Sequence, residues 1–103
     1  MELSINAQFQ WLPDKRQNVD PTTVNHISGK RWFDRVNGNT YHNTTLHLKD
    51  GKTIESGMLY GYDNQFYSTA LDMMGLEYRW ERLLTEEYGI TISVADVQRK
   101  RDL

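Results

Sequence analysis

Residues 30–48, KRWFDRVNGNTYHNTTLHL, form the densest run of strand-forming residues in the chain. β-branched and aromatic side chains, which favour strands, lie on both sides of Asn37-Gly38. This dipeptide readily adopts the positive φ angles of a two-residue type I′ turn. The stretch therefore predicts a β-hairpin, with one strand reaching Val36 from residue 24 or 27 and its partner over residues 40–48.

A second turn, at Lys49-Asp50-Gly51, fixes the register of a third strand over residues 52–60. A two-residue loop would place Leu46 opposite the polar Glu55. A three-residue loop, with its glycine in the left-handed conformation, instead places Leu46 opposite Ile54. Because a one-residue slip would separate these apolar partners, we favour the three-residue loop.

Alternation along these strands divides the side chains between two faces of the sheet. The same register places His42 opposite Met58. The face expected to lie beneath the helices carries Phe33, His42, Leu46, Ile54 and Met58. The opposite face carries Lys30, Trp32, Asp34, Tyr41, Asn43, Thr45 and His47. The division assumes the two-residue turn at Asn37-Gly38, because a three-residue turn would move Trp32 to the helix side.

Two helical segments are expected between residues 63 and 88, where apolar residues recur at helical spacing. Asp63 or Asn64 can cap the first helix, and Gly75 is suited to its C-terminal end. The residues that this helix is expected to bury are Phe66, Tyr67, Ala70, Leu71 and Met74. The second helix, over residues 77–88, is expected to bury Trp80, Leu83, Leu84 and Tyr88.

The remaining segments complete the predicted fold. Residues 1–12 alternate apolar and polar side chains and predict an N-terminal strand, and residues 90–97 predict a final strand. The polar residues 13–23 hold both prolines and predict a loop. With antiparallel hairpins over residues 24–60 and a helical layer over residues 63–88, we expect a single α+β domain. Its antiparallel β-sheet has four to five strands, and two helical segments pack on one face.

Composition narrows the class of protein. The chain has 103 residues, enough for one small domain, and 38% apolar and 25% charged residues are typical of a folded soluble protein. A net charge of −2 means that any contact with phosphate requires a local basic patch. The chain has no cysteine, and we expect neither a signal peptide nor a membrane-spanning segment, because the first residues lack a basic and apolar pattern and no apolar run is long enough. We therefore expect a cytoplasmic protein that does not contact a membrane.

The candidate catalytic and metal-binding residues are His26, His42 and His47. His42 and His47 lie five positions apart on one predicted strand, so their side chains point to opposite faces and cannot share an ion unless the strand contains a bulge. No nucleophile motif or glycine-rich phosphate loop accompanies them. The sequence thus predicts no enzyme activity, no catalytic residue, no metal site and no cofactor.

The face that carries Trp32 and Tyr41 is the candidate binding surface. Aromatic rings on an open sheet can stack on bases, nearby cations can contact phosphates, and amides or imidazoles can bond to base edges. The predicted binding residues, for DNA or RNA or for another partner, are Lys30, Arg31, Trp32, Arg35, Tyr41, Asn43 and His47. Two alternatives stay open: the two rings pack against another part of the chain, or the face binds a host protein or a second copy.

Three segments resemble a group of small phage and prophage proteins: KRWFDRVNGNTYHNTTL, YGYDNQFYSTALDMM and VADVQRKRDL. The shared features are RWF, GNTYH, a YGY segment before a helix and a basic C-terminal end, over residues 29–103. The group has no established activity, so the resemblance implies no catalytic residue. It implies an accessory protein of a phage or mobile element in the bacterial cytoplasm, which binds nucleic acid or blocks a host protein such as a defence nuclease.

Overall fold

The structure is a computed structural model that describes residues 18–103. Its elements in chain order are the strands β1 (Val24–Asp34), β2 (Asn39–Leu48), β3 (Thr53–Glu55) and β4 (Leu59–Tyr60), the helices α1 (Gln65–Met73) and α2 (Glu81–Tyr88), and the strand β5 (Thr91–Val97). The predicted N-terminal strand over residues 1–12, and residues 13–17 of the predicted loop, lie outside the described residues.

The hairpin of β1 and β2 is the centre of the sheet, as the sequence predicts. The predicted two-residue turn at Asn37-Gly38 is wrong, because four residues connect the strands. The Asp34 carboxylate accepts hydrogen bonds from the Val36 backbone N–H at 3.0 Å and from the Asn37 side chain at 2.8 Å. These bonds stabilise a wider loop than a type I′ turn.

The longer loop adds two residues, so the alternation of side chains between the faces is unchanged. The cross-strand partners do change, and Trp32 lies directly opposite Tyr41. A register shift between Val24 and His26 reverses the alternation at the start of β1. Val24 and Ile27 are therefore both buried on the helix side of the sheet.

The turn between β2 and β3 has the predicted three-residue form. Gly51 adopts a φ of 93°, which favours glycine, and Leu46 lies opposite Ile54. The predicted continuous strand over residues 52–60 is interrupted after Glu55.

Ser56 causes the interruption. Its hydroxyl accepts a hydrogen bond from the Thr44 backbone N–H at 3.0 Å and so takes the place of a strand carbonyl. Pairing resumes with the register moved by one residue, so His42 lies opposite Leu59 rather than the predicted Met58.

The complete sheet has the order β3-β2-β1-β5, with β4 also paired to β2. β5 lies parallel to β1, with Ile92 beside Ile27, whereas the other pairs are antiparallel. The sheet is therefore mixed but mostly antiparallel, and the fold is α+β, as predicted. The final strand falls at the predicted place.

Helix α1 packs against β1 and β2 and buries every residue predicted for it. It ends at a turn in which Gly75 has a φ of 68° and the Leu76 N–H donates to the Leu71 carbonyl at 2.9 Å. The core consists of Val24, Ile27, Leu46, Phe66, Tyr67, Ala70, Leu71, Met73, Met74, Leu84 and Ile90. No helix within residues 18–103 is long and apolar enough to cross a membrane.

Helix α2 is shorter than predicted, because residues 77–80 have no regular secondary structure. The Tyr67 hydroxyl donates to the Arg79 carbonyl at 2.7 Å and holds this segment against α1. Leu84 is buried as predicted, but Trp80 is 66% exposed and Leu83 is also exposed. The predicted burial of these two side chains is wrong, since the helix begins only at Glu81.

Candidate nucleic-acid interface

The side of the sheet that faces away from α1, here called the open face, brings together most of the predicted binding residues. These are Lys30, Trp32, Tyr41, Asn43 and His47, all on the adjacent strands β1 and β2. Lys30 lies opposite Asn43, next to the pair of Trp32 and Tyr41. These five residues thus form a contiguous surface.

Three aromatic rings form a continuous row on the open face. Trp32 and Tyr41 are stacked, with ring centroids 5.9 Å apart and an interplanar angle of 24°. Tyr60 meets Tyr41 edge to face, also at 5.9 Å. Trp32 and Tyr41 are half-buried, whereas Tyr60 is 63% exposed. Tyr60 is therefore the most accessible of the three rings. It was not among the predicted binding residues, because its register depends on the interruption at Ser56.

The basic C-terminal segment, residues 98–103, returns across the open face. β5 ends at Val97 beside Trp32, and the Leu103 main-chain oxygen accepts a hydrogen bond from the Asn43 side chain at 3.0 Å. Hydrogen bonds lower the pKa of Asp34, the largest effect coming from the Asn37 side chain. The positive charge of Lys100 lowers this pKa further. Lys100 therefore lies near the strand end that bears the aromatic row.

Asn43 was predicted to contact bases, but its side chain also forms hydrogen bonds within the protein. Its Nδ2 donates to Glu55 Oε1 at 3.1 Å and to the Leu103 oxygen, and its Oδ1 accepts from the Gly57 N–H at 3.2 Å. The side-chain amide thus joins the interruption between β3 and β4 to the C-terminal segment.

Asn43→Ala is expected to destabilise the protein by about 1–2 kcal/mol, because the half-buried Gly57 N–H loses its acceptor. The C-terminal segment should also detach, giving faster amide exchange over residues 100–103. Hydrogen exchange and urea unfolding measure both effects. Thr45→Ala, on the same face but with no side-chain hydrogen bond to any described residue, is the control. Unchanged exchange in Asn43→Ala would show that the amide does not hold the segment.

His47 is likewise bonded within the protein. Its Nε2 lies 2.8 Å from Ser28 Oγ, while His26 lies 2.6 Å from Thr91 Oγ1 and 2.9 Å from Ser93 Oγ. Desolvation, with a smaller effect of His47, lowers the pKa of His26. The two imidazoles are cross-strand partners on the open face. Residues 18–103 contain no group of three His, Cys, Asp or Glu side chains that could hold a metal ion.

Arg31 does not join the open face. Its guanidinium donates to Asp96 Oδ1 at 2.8 Å and to the Asp63 carbonyl at 3.0 Å, on the helix side of the sheet. Arg35 lies in the loop and lines, with Arg31, a cleft of about 420 Å³ at the end of the sheet. Phe33, predicted to belong to the core, also lines this cleft and is 53% exposed, because α1 does not extend over the end of β1.

Comparison with known proteins gives no relative for this chain. No protein-family model, no curated protein and no solved structure matches it.

Proposed function

We propose that this protein is a small phage-type accessory module that binds single-stranded nucleic acid at the end of its open face. One observation carries the proposal: the accessible Tyr60 ring continues the Trp32–Tyr41 stack, and Lys30 lies two residues from Trp32 on the same face. The cations of the open face, the adjoining loop and the C-terminal segment that form no ion pair within the described residues are Lys30, Arg35, Arg99, Lys100 and Arg101.

The arrangement of charge favours this end of the molecule. Asp96 is paired with Arg31, and the Asp34 carboxylate accepts hydrogen bonds from its own loop. Four of the nine acidic residues between residues 52 and 103 lie at 77–87, around α2. A local positive potential can therefore form beside the rings although the whole chain carries −2.

Single strands suit this surface better than duplexes. An aromatic ring at a surface can stack on an unpaired base, and such stacking tolerates any sequence because every base has a π-face. A duplex keeps its bases stacked and would offer only phosphates to a surface with few cations. The proposed setting is the cytoplasm of a bacterial host.

We expect a labelled 12-nucleotide single strand, DNA or RNA, to bind at low salt with a steep salt dependence. A logarithmic slope of about −2 would correspond to three phosphate contacts. Tyr60→Ala should weaken binding roughly tenfold, since stacking contributes about 1–3 kcal/mol per base. Fluorescence anisotropy at several salt concentrations measures both quantities.

Matched pairs of substitutions test where on the protein the nucleic acid binds. Replacing both Arg35 and Lys100 by alanine should weaken binding and flatten the salt slope. Replacing both Lys49 and Lys52, exposed at the opposite end of the hairpin, removes the same charge and should change little. Equal effects of the two double substitutions would refute the proposal. So would the absence of binding at low salt with about 100 µM protein, because even ordinary non-specific binding is detectable at that concentration.

A protein partner is the second candidate, either a host protein or a second copy of the chain. The observation that favours it is strand β5, which lies at the edge of the sheet and pairs only with β1 among the described strands. Edge strands rich in β-branched residues can pair with another chain. Sedimentation of the wild type and of Val94→Lys tests self-association, and a pull-down from host lysate tests binding of a host protein. A monomer at every concentration that retains no host protein would exclude a protein partner.

A further inference from the structure

A second aromatic cluster lies between the two helices, away from the open face. Tyr67 and Tyr78 meet at an interplanar angle of 82°, and Tyr78 and Trp80 meet at 77° with ring centroids 5.8 Å apart. Residues 77–80, which precede α2, carry the two outer rings. Because they are nearly perpendicular, their faces form a corner.

The corner is open to solvent and has a defined shape. Tyr78 is 60% exposed and Trp80 is the most exposed large aromatic side chain among the described residues. Both line a recess of about 430 Å³, together with Asn64, Glu81 and Arg82. The recess can hold a small organic group against two ring faces.

The charges around the corner are predominantly negative. Residues 77–87 carry four carboxylates and two guanidinium groups, and each guanidinium has a carboxylate partner: Arg82 lies 3.6 Å from Glu86, and Arg79 pairs with Glu87. Glu77 and Glu81 form no ion pair with any described residue.

Glu81 lies close to the aromatic cluster. Burial raises the pKa of Tyr67 to about 12, and the negative charge of Glu81 adds to the increase. The Glu81 carboxylate thus lies close enough to the recess to attract a cation held against the two rings.

We propose that the corner of Tyr78 and Trp80, with Glu81, binds an organic cation of the alkylammonium type. The face of an aromatic ring carries negative charge and attracts a cation, with tryptophan the strongest of the natural rings. Two perpendicular faces and one carboxylate surround an alkylammonium group without needing hydrogen-bond donors. This site is independent of the open face and of nucleic-acid binding.

Choline and its uncharged isostere 3,3-dimethyl-1-butanol provide a direct test, because they share size and shape but differ in charge. Titration followed by two-dimensional NMR should show choline binding with a Kd on the order of 1 mM, with shifts centred on Tyr78, Trp80 and Glu81. The neutral isostere should bind at least roughly tenfold more weakly, the loss expected when a cation–π contact is removed.

Trp80→Ala should weaken choline binding roughly tenfold, and Glu81→Gln should weaken it severalfold. Tyr62→Ala, which removes a comparably exposed ring at the end of the sheet, is the matched control and should leave the Kd unchanged. Circular dichroism checks that each variant is folded. A trimethyllysine peptide that binds more tightly than choline would identify the ligand as a side chain of a protein, and equal affinity would identify a small molecule.

Two results would overturn the proposal. The first is equal affinity for choline and its neutral isostere, which would reduce the corner to an apolar surface. The second is the absence of any shift at the aromatic residues at roughly 50 mM choline, far above the expected Kd.

Discussion

Gly29→Ala is expected to destabilise the protein by about 3 kcal/mol, the upper part of the usual range for overpacking a core. Gly29 lies in β1 directly beneath α1, and a Cβ atom there would lie 2.3 Å from Cδ2 and 2.6 Å from Cγ of Phe66. Real Cβ atoms essentially never approach other atoms so closely. The added methyl group therefore requires the ring or the helix to move.

Neither movement is easy. Phe66 is buried in the core, so its ring cannot rotate into solvent. The Thr44 hydroxyl donates to the Phe66 carbonyl at 2.8 Å and ties the first turn of α1 to β2. Lifting the helix would break this buried hydrogen bond as well as the apolar contacts, so the strain remains in the native state.

Thermal or urea unfolding measures the effect, and 3 kcal/mol corresponds to a fall in Tm of roughly 15 °C for a domain of this size. Ser28→Ala is the matched control, since it places the same residue one position earlier on the opposite face. It loses only the hydrogen bond to His47 and should cost less than about 1 kcal/mol. A Gly29→Ala protein as stable as the Ser28→Ala protein would contradict the close packing of α1 on β1.

The elements that the sequence predicts well are those governed by periodic patterns. Alternation in β1 and β2 reflects burial on one side only, so it identifies Leu46 and His42 as core residues without knowledge of the turn. Helical spacing does the same for α1. Both patterns survive an error in loop length when that error is an even number of residues, as at Asn37-Gly38.

Single side-chain hydrogen bonds determine what the patterns do not predict. The Asp34 carboxylate widens one loop, the Ser56 hydroxyl interrupts the third strand, and the Tyr67 hydroxyl binds the Arg79 carbonyl in the segment before α2. The partners of Asp34 lie two and three residues along the chain, whereas those of Ser56 and Tyr67 depend on the tertiary structure. The alternation of residues alone cannot reveal these partners.

The candidate site follows the same division. Parity correctly places Trp32 and Tyr41 on one face, because the error in the length of the connecting loop is an even number of residues. The return of residues 98–103 across that face requires β5 to lie parallel to β1, a long-range arrangement without a local sequence signal. Arg31 was grouped with the open face on its charge, although its position in β1 directs it to the helix side.

The stability of the protein is expected to fall as the pH is lowered below about 6.5, and His42 is the main cause. His42 is 2% exposed beneath α1, and desolvation lowers the pKa of its imidazole. Its Nδ1 faces the Gly61 carbonyl at 3.3 Å, which can only accept, so Nδ1 carries the proton of the neutral ring. Its Nε2 lies 2.8 Å from Thr69 Oγ1 and accepts from that hydroxyl.

The sign of the dependence follows from the lowered pKa. Between the folded-state pKa and the ordinary value of 6.5, the unfolded chain binds a proton that the folded protein excludes. The stabilisation is complete above 6.5 and is lost as the pH falls through this window, by up to about 1.4 kcal/mol per pH unit. Protonation would also place an N–H against the Thr69 hydroxyl proton and force that hydroxyl to find another acceptor.

His42→Gln should remove this part of the pH dependence, because glutamine does not titrate and can still reach Thr69. We expect it to cost about 1 kcal/mol at pH 8, where only the bond to Gly61 is lost, and to give a flatter stability profile between pH 7.5 and 5. Urea unfolding at half-unit pH steps measures the profile. His26→Gln is the control: His26 lies nearer the surface, so its removal should leave most of the slope. If the His42→Gln profile instead parallels the wild type, the buried imidazole does not control stability in this range.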